Sequence, residues 1–470
     1  MSLVGELSSS STTGTGFFSS TSPLTSDSGI NNNEKKKTDP YGQINFKFMI
    51  IFPLLLVVFF LLFFSFSPVY GGRQIVILVI GLLIGISLSQ CKFGYTSSFR
   101  NLIAHRKGKN FRALITMFAL TMWILSIIIS ASPNHKSWTD KTKELHLSAA
   151  PVSWTVFFGS FIFGIGMQIG SACASGCLHE VGSGIVRTLI VFIFFIVGTF
   201  IAALDWSFNV WFKAKSEGRI NLIEKWGIAG GTIFQTFVFL VLVIITIAIE
   251  IKKHGLVEEK IIQRLLMKLF PKLRAIARNK SNSIESKSLL SNHTKNAKKE
   301  VVKNIFTKKH DIYVGSILLT IAQIFLYLST SNFWGVMGVF PFLIALPLRA
   351  MNVDVEKMKY FQEYSTLPTH FFANDYIVLD LSIILGAFLS ATVTGTFGKG
   401  NYRPNWKVYG SAIIAGLLLG FGSRWAYGCN VGAWTSPSIA ASVSGYVWFA
   451  GGLLGNIVGV ICRPYVGLKN

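Results

Sequence analysis

From Phe48 to Phe66 the chain carries no charged residue, and the same holds for Leu114 to Ser130, Thr232 to Ile249 and Ile312 to Leu328. Ile185 to Leu204 carries only Arg187, near its start. Stretches of about 20 apolar residues cross a bilayer as helix. In lipid every backbone group must be satisfied within the structure, so only helices and closed barrels span, and lengths of this order select helices. Shorter or glycine-interrupted candidates are Gln74 to Gln90, Ser153 to Ile169, Trp334 to Leu346, Tyr376 to Thr394, Val408 to Phe421 and Tyr446 to Ile461. Roughly nine to eleven membrane segments follow, some of them re-entrant. The predicted fold class is all-α, a polytopic helical membrane protein.

Composition agrees. With 51% hydrophobic and 14% charged residues over 470 positions, the chain cannot hide its apolar surface in a water-soluble globule. A formal net charge of +23 would raise the question of nucleic acid in a soluble protein. Here the charge gathers between Lys252 and Lys309, where sixteen Lys or Arg stand against four acidic residues. A basic loop flanked by spans faces the cytoplasm by the positive-inside rule, and no nucleic-acid partner is expected. Within it, Ile261, Leu265, Leu266 and Leu269 make one apolar helical face that can rest on anionic lipid. Residues 1–43 are rich in Ser, Thr, Gly and Asn and predict a disordered tail. No Lys or Arg precedes Lys35 and no apolar core precedes Phe48, which argues against a transit peptide or cleaved signal and for a signal-anchor first span. The expected location is a multi-pass position in the cell membrane, with an intracellular membrane as the alternative.

A repeat then organises the chain. GIGMQIGSACASG at Gly164–Gly176 and GFGSRWAYGCNVG at Gly420–Gly432 both fit GxGxxxxxxCxxG, which sets Cys173 opposite Cys429. Downstream, Gly184 and Gly198 have the separation of Gly445 and Gly459. A fainter match aligns Leu83–Gly94 with Ile384–Gly395, pairing Gly85 with Gly386 and Ser89 with Ser390, while Cys91 has Thr392 opposite it. The organisation expected is a tail (1–43), an N-terminal membrane half (44–251), the basic loop (252–310) and a C-terminal membrane half (311–470). The halves are pseudo-symmetric, with broken or re-entrant helices, inverted or parallel. Repeats of broken helices are how many transporters place a substrate site near the bilayer midplane.

The chemistry follows from the breaks. Unpaired backbone N–H groups inside a membrane must face a cavity or ligand, and pointed at a pore they bind anions. Ser171–Gly176 and Tyr427–Gly432 can form such nests, with Gly170, Gly176, Gly428 and Gly432 supplying the backbone freedom. Cysteine adds a polarisable sulfur and a weak donor suited to a soft acceptor, so the substrate expected is a sulfur-bearing anion. Arg424, five residues before Cys429, either attracts that anion or reaches for lipid phosphate. Arg187 is read as reaching the interface, and Asp380 and Gln168 as satisfied by helix–helix hydrogen bonds. The five cysteines, Cys91, Cys173, Cys177, Cys429 and Cys462, lie in or beside apolar segments, which disfavours a disulfide framework. Cys173 and Cys177 lack the two-residue spacer of a thioredoxin-like motif, and His179 and Glu180 lack a second cluster of ligands. Neither metal nor cofactor is expected.

These motifs resemble the YeeE/YedE family of sulfur transport proteins, the thiosulfate uptake permeases. The resemblance rests on GSACASGC at Gly170–Cys177, GFGSRWAYGCNVGAW at Gly420–Trp434, SGYVWFAGGLLGNIVGVICRPYVGL at Ser444–Leu468 and, more weakly, KFGYTSSFRNL at Lys92–Leu102. It implies two related helical halves around a cysteine-lined constriction, with thiosulfate relayed by S–H contacts. Cys173 and Cys429 match two motif cysteines. The third falls at Gly94, so Cys91, three residues earlier, is its substitute or this chain differs in path or substrate. The alternatives are a membrane sulfur-transfer enzyme that carries a persulfide to a soluble acceptor protein, or a channel for another small anion.

Overall fold

The computed structural model describes residues 46–67, 71–131, 138, 151–208, 218–255, 257, 259, 310–364, 367–368, 370–400 and 406–469. The Ser/Thr/Asn-rich tail and nearly all of the basic loop, with its Ile261–Leu269 face, lie outside the described residues. Among the described residues the regular structure is helical, apart from one isolated backbone bridge between Asn221 and Ser442.

The N-terminal helices are α1 (Phe46–Phe66), α2 (Gly71–Cys91), α3 (Tyr95–Ala104), α4 (Lys109–Ala131), α5 (Trp154–Gly170), α6 (Ala174–Gly182), α7 (Val186–Phe208) and α8 (Leu222–His254). After the basic loop come α9 (Ile312–Thr330), α10 (Phe342–Ala350), α11 (Asp375–Val393), α12 (Trp406–Trp425), α13 (Ser436–Ile439) and α14 (Val443–Cys462). Among the described residues, 9 helical segments are long and apolar enough to cross a membrane, and Ile50–Phe66 adds a shorter apolar helix. Large apolar side chains such as Phe59, Ile127, Phe237, Ile244 and Ile461 face outward, as a lipid-facing surface requires. The protein is a multi-pass membrane protein.

One expected segment fails. Trp334 to Leu346 is not a single helix: turns run to Pro341 and the short α10 follows. Its composition is apolar enough, but Pro341 opens α10, and a proline cannot donate the amide that a continuous helix through it would need.

Small residues bring the central helices into backbone contact. A Cβ on Gly455 would lie 2.0 Å from the carbonyl oxygen of Phe161, and one on Gly451 2.2 Å from that of Phe157, so α5 and α14 touch and run in the same direction. Gly416 meets Val191 and Gly420 meets Phe195 and Thr199, which sets α7 and α12 parallel. Gly159 beside Trp425 and Gly170 beside Ala415 make α5 and α12 antiparallel. Glycine permits such approaches without a hydrophobic drive between helices in lipid. On the other side Gly85 packs on Ile383 and Gly386 on Leu82, with α2 and α11 parallel.

Two further devices fix the frame. Trp434 stacks on Trp448 at 5.9 Å and on Phe449 at 5.3 Å, and meets Phe118 edge-on at 5.1 Å. At one end of α4, the buried Arg112 pairs with Glu250 at 2.6 Å and with Glu259, which also accepts from the Tyr313 hydroxyl at 2.8 Å. A charge pair this deep holds only because each partner finds the other.

Candidate functional site

Both cysteine motifs break a helix in the same manner. α5 stops at Gly170, Ser171 turns left-handed (φ 54°), and the extended Cys173 caps α6. Its sulfur accepts the Gly176 amide at 3.4 Å, the role that Ser or Asp takes at most helix starts. The Ser175 hydroxyl lies 3.5 Å from the same sulfur. α12 stops at Trp425, Tyr427 (φ 56°) and Gly428 (φ 158°) take backbone values that favour glycine, and the extended Cys429 leads into one π-helical turn, Asn430–Thr435. There the amides of Val431 and Gly432 act electrostatically on the Cys429 sulfur without closing a cap hydrogen bond to it. Nothing lies within 4 Å of a Cβ built on Gly432, so this turn has open space beside it.

The carbonyl end of α5 is satisfied by two buried guanidiniums. Arg187 donates to the carbonyls of Gly170 at 2.5 Å and Ile169 at 2.6 Å. Arg463 donates to the carbonyl of Gln168 at 2.6 Å and to the Ser171 hydroxyl at 2.8 Å. The last carbonyls of a helix have no partners of their own and carry its negative pole, so cations seat there. Arg187 therefore does not reach the lipid interface as its position suggested. It is drawn inward, to 2% exposure, by the broken helix.

Gln168 meets the expectation with its amide nitrogen, which donates to Asn456 at 2.7 Å and to the Thr96 carbonyl at 3.2 Å, while its amide oxygen is buried without a partner. Asp380 does not: both its carboxyl oxygens are buried without a partner. Neighbouring helices offer it packing but no donor within reach. Arg424 is buried and donates to the Tyr360 hydroxyl and the Met337 carbonyl, its guanidinium 5.8 Å from the Tyr360 ring. It thereby ties α12 to the Trp334–Leu346 turns and is not among the residues that line the cavity described below.

The two breaks converge. Cys173 and Cys429 lie within electrostatic reach of each other, and both within reach of Tyr95 at the start of α3. The Tyr95 hydroxyl is 2.8 Å from that of Thr435, in the turn that follows Cys429, and its ring meets Trp434 edge-on at 6.2 Å. Sequence reasoning missed Tyr95; the signal was its place directly after Gly94 in KFGYTSSFR. The amide of Cys177 donates to the Cys173 carbonyl at 2.7 Å, so this second thiol sits one turn along α6. Cys91 is placed differently. It packs against α9, where a Cβ on Gly315 would lie 3.3 Å from its sulfur, while Gly94 lines the cavity instead.

That cavity, about 640 Å³, has Cys173 and Gly176 in its wall. Lys92, Arg100, Arg187 and Lys399 line it against one carboxylate, Glu180, so its field draws anions toward the Cys173 turn. Cys429 is not among its lining residues. Among the described residues no group of three or more His, Cys, Asp or Glu is arranged to hold a metal.

Over 135 residues, 28% of this chain, the sequence is 26% identical to the thiosulfate transporter TsuA of Spirochaeta thermophila. The match spans 37% of that protein's length. A family model described as sulphur transport matches residues 90–458, which takes in both cysteine turns, Tyr95 and all of the cavity wall except Ser89. The chain belongs to the sulphur transport family.

Proposed function

We propose that this protein transports thiosulfate, or a closely related sulfur-containing anion, across the membrane through a constriction formed by the Cys173 and Cys429 turns. The observation that carries the reading is the approach of two sulfurs, one at each helix break, with Cys173 held by the Gly176 amide in the wall of an anion-drawing cavity. Lys92, Arg100 and Lys399 gather the dianion from solution. Cys173 then meets its terminal sulfur by a weak S–H contact, and Cys429 takes it over on the far side. Tyr95, within electrostatic reach of both, braces the Cys429 turn through its contact with Thr435. Sulfur passes through without covalent change, so the protein is a carrier or channel rather than an enzyme. The named activity of the Spirochaeta protein favours the same substrate.

The two halves are read as an inverted pair in the cysteine region. Support comes from helix direction: α5 with α7 and α12 with α14 are matched in sequence, and α5 runs antiparallel to α12. α2 and α11, which carry the fainter match, run in the same direction and stand outside that pairing.

Growth tests the reading. Cells without other sulfur uptake, supplied with thiosulfate alone, are expected to grow when they express this protein and to stop growing with Cys173→Ala or Cys429→Ala at equal protein level. Full growth of both variants contradicts it. Mass spectrometry after thiosulfate exposure separates the sulfur-transfer alternative, which requires a stable adduct on Cys173 or Cys177.

A further inference from the structure

The turn after Cys429 holds polar groups that the outer cavity leaves unexplained. Asn430 is fully buried, and neither its amide nitrogen nor its amide oxygen has a partner. Asp380, on α11 and 5% exposed, also has no partner on either oxygen, and it lies within electrostatic reach of Cys429. Buried polar groups are almost always hydrogen-bonded. Two that are not, one next to Cys429 in the chain and the other within electrostatic reach of it, point to a place that a polar ligand completes, and open space lies over Gly432 in the same turn as Asn430.

Building on the thiosulfate reading, we propose that Asn430 and Asp380 form an inner oxyanion station beside Cys429, at which the Asn430 amide and the acid form of Asp380 both donate to the anion, so that substrate and a proton occupy it together. An ionised carboxylate would repel a dianion at so buried a place, whereas the acid supplies an O–H donor. Among the described residues no cation hydrogen-bonds to Asp380 in the proton's place. On the elements packed against α11, the titratable and charged groups are Lys47 at the start of α1, Arg73, which pairs with Asp375 at the start of α2 and α11, Cys91, Cys177, His179 and Glu180. Glu180 accepts from Thr188 at 2.5 Å, and a His179 nitrogen lies 3.2 Å from the Ser175 carbonyl. Arg424 is engaged by Tyr360 and Met337. The proton comes from water on the side where the anion binds and leaves with it on the other, which makes the movement a co-transport.

The test is uptake of labelled thiosulfate into proteoliposomes of the full chain that contain a pH-sensitive dye. Wild-type protein is expected to acidify the lumen as thiosulfate enters and to work faster from acidic external buffer. Asp380→Asn, nearly the same shape, is expected to slow uptake, to end the acidification and to flatten the pH profile. Asn430→Ala is expected to raise the half-saturating thiosulfate concentration about tenfold, the effect of one lost hydrogen bond to a charged group. Each variant is first checked for a monodisperse peak in detergent. Thiosulfate entry without proton movement in the wild type, or an Asp380→Asn profile matching it, overturns the proposal. Absence of any thiosulfate uptake by the wild type overturns the transport reading beneath it.

Discussion

The Gly176 amide points at the Cys173 sulfur, 3.4 Å away and three residues along the chain. Gly432 holds the matching position after Cys429, where its amide acts on the sulfur electrostatically but closes no cap hydrogen bond. The Cys173 sulfur thus finishes a helix start that would otherwise leave an amide bare, and in the transport reading proposed above each sulfur also presents a thiol to the ligand. A serine could do the first job nearly as well. Only sulfur does the second for a soft partner, which is why the two replacements below separate structure from transport.

Tyr95→Phe removes the hydroxyl at the Thr435 contact and keeps the ring against Trp434. The expected loss is about 0.5–1.5 kcal/mol of stability, the range for a single net hydrogen bond. Uptake should fall severalfold because the Cys429 turn loses its brace. Thermal unfolding in detergent, paired with an uptake rate, checks both parts.

Arg187→Met leaves the carbonyls of Ile169 and Gly170 without donors. Each unsatisfied buried acceptor costs about 1–3 kcal/mol, so this variant should lose more stability than Tyr95→Phe. A midpoint equal to wild type in the same unfolding assay would show that water or another group fills the site.

Gly455→Val places a branched side chain where even a Cβ would lie 2.0 Å from the Phe161 carbonyl oxygen. α5 and α14 must separate, at a cost of at least about 1–3 kcal/mol by the usual scale of overpacking. Lower yield of folded protein on size-exclusion chromatography is the expected outcome, and a substitution at the open Gly432 should be milder for folding.

Lys399→Glu reverses one charge at the exposed edge of the cavity. The half-saturating thiosulfate concentration should rise about two- to fivefold, in keeping with exposed charge pairs worth up to about 1 kcal/mol. Because salt screens such a field, the difference from wild type should shrink as ionic strength increases.

The membrane helices were legible because uncharged runs near twenty residues have few other solutions. Trp334–Leu346 misled because composition hides what a proline at position 341 does to a helix. The cysteine pair was legible through repetition, since two motifs in register are hard to attribute to packing. What surrounds the pair was not. Tyr95 reaches Thr435 across 340 positions and Arg463 reaches Gln168 across 295, and no local pattern announces either contact. Arg187 read as an interface residue because its neighbours in sequence are apolar, while its true partners are the carbonyls of a helix that ends seventeen positions earlier. Cys91 stood out as a thiol, yet its neighbour Gly94 holds the cavity wall.

The most direct measurement compares thiosulfate uptake by proteoliposomes carrying wild-type protein, Cys173→Ser, Cys429→Ser and the double variant, all confirmed as folded. If both sulfurs act in series on one path, each single serine lowers the rate about tenfold or more, a change worth about 1.4 kcal/mol, and the double variant is little worse than the slower single. Wild-type uptake rates in the double serine variant would contradict the account.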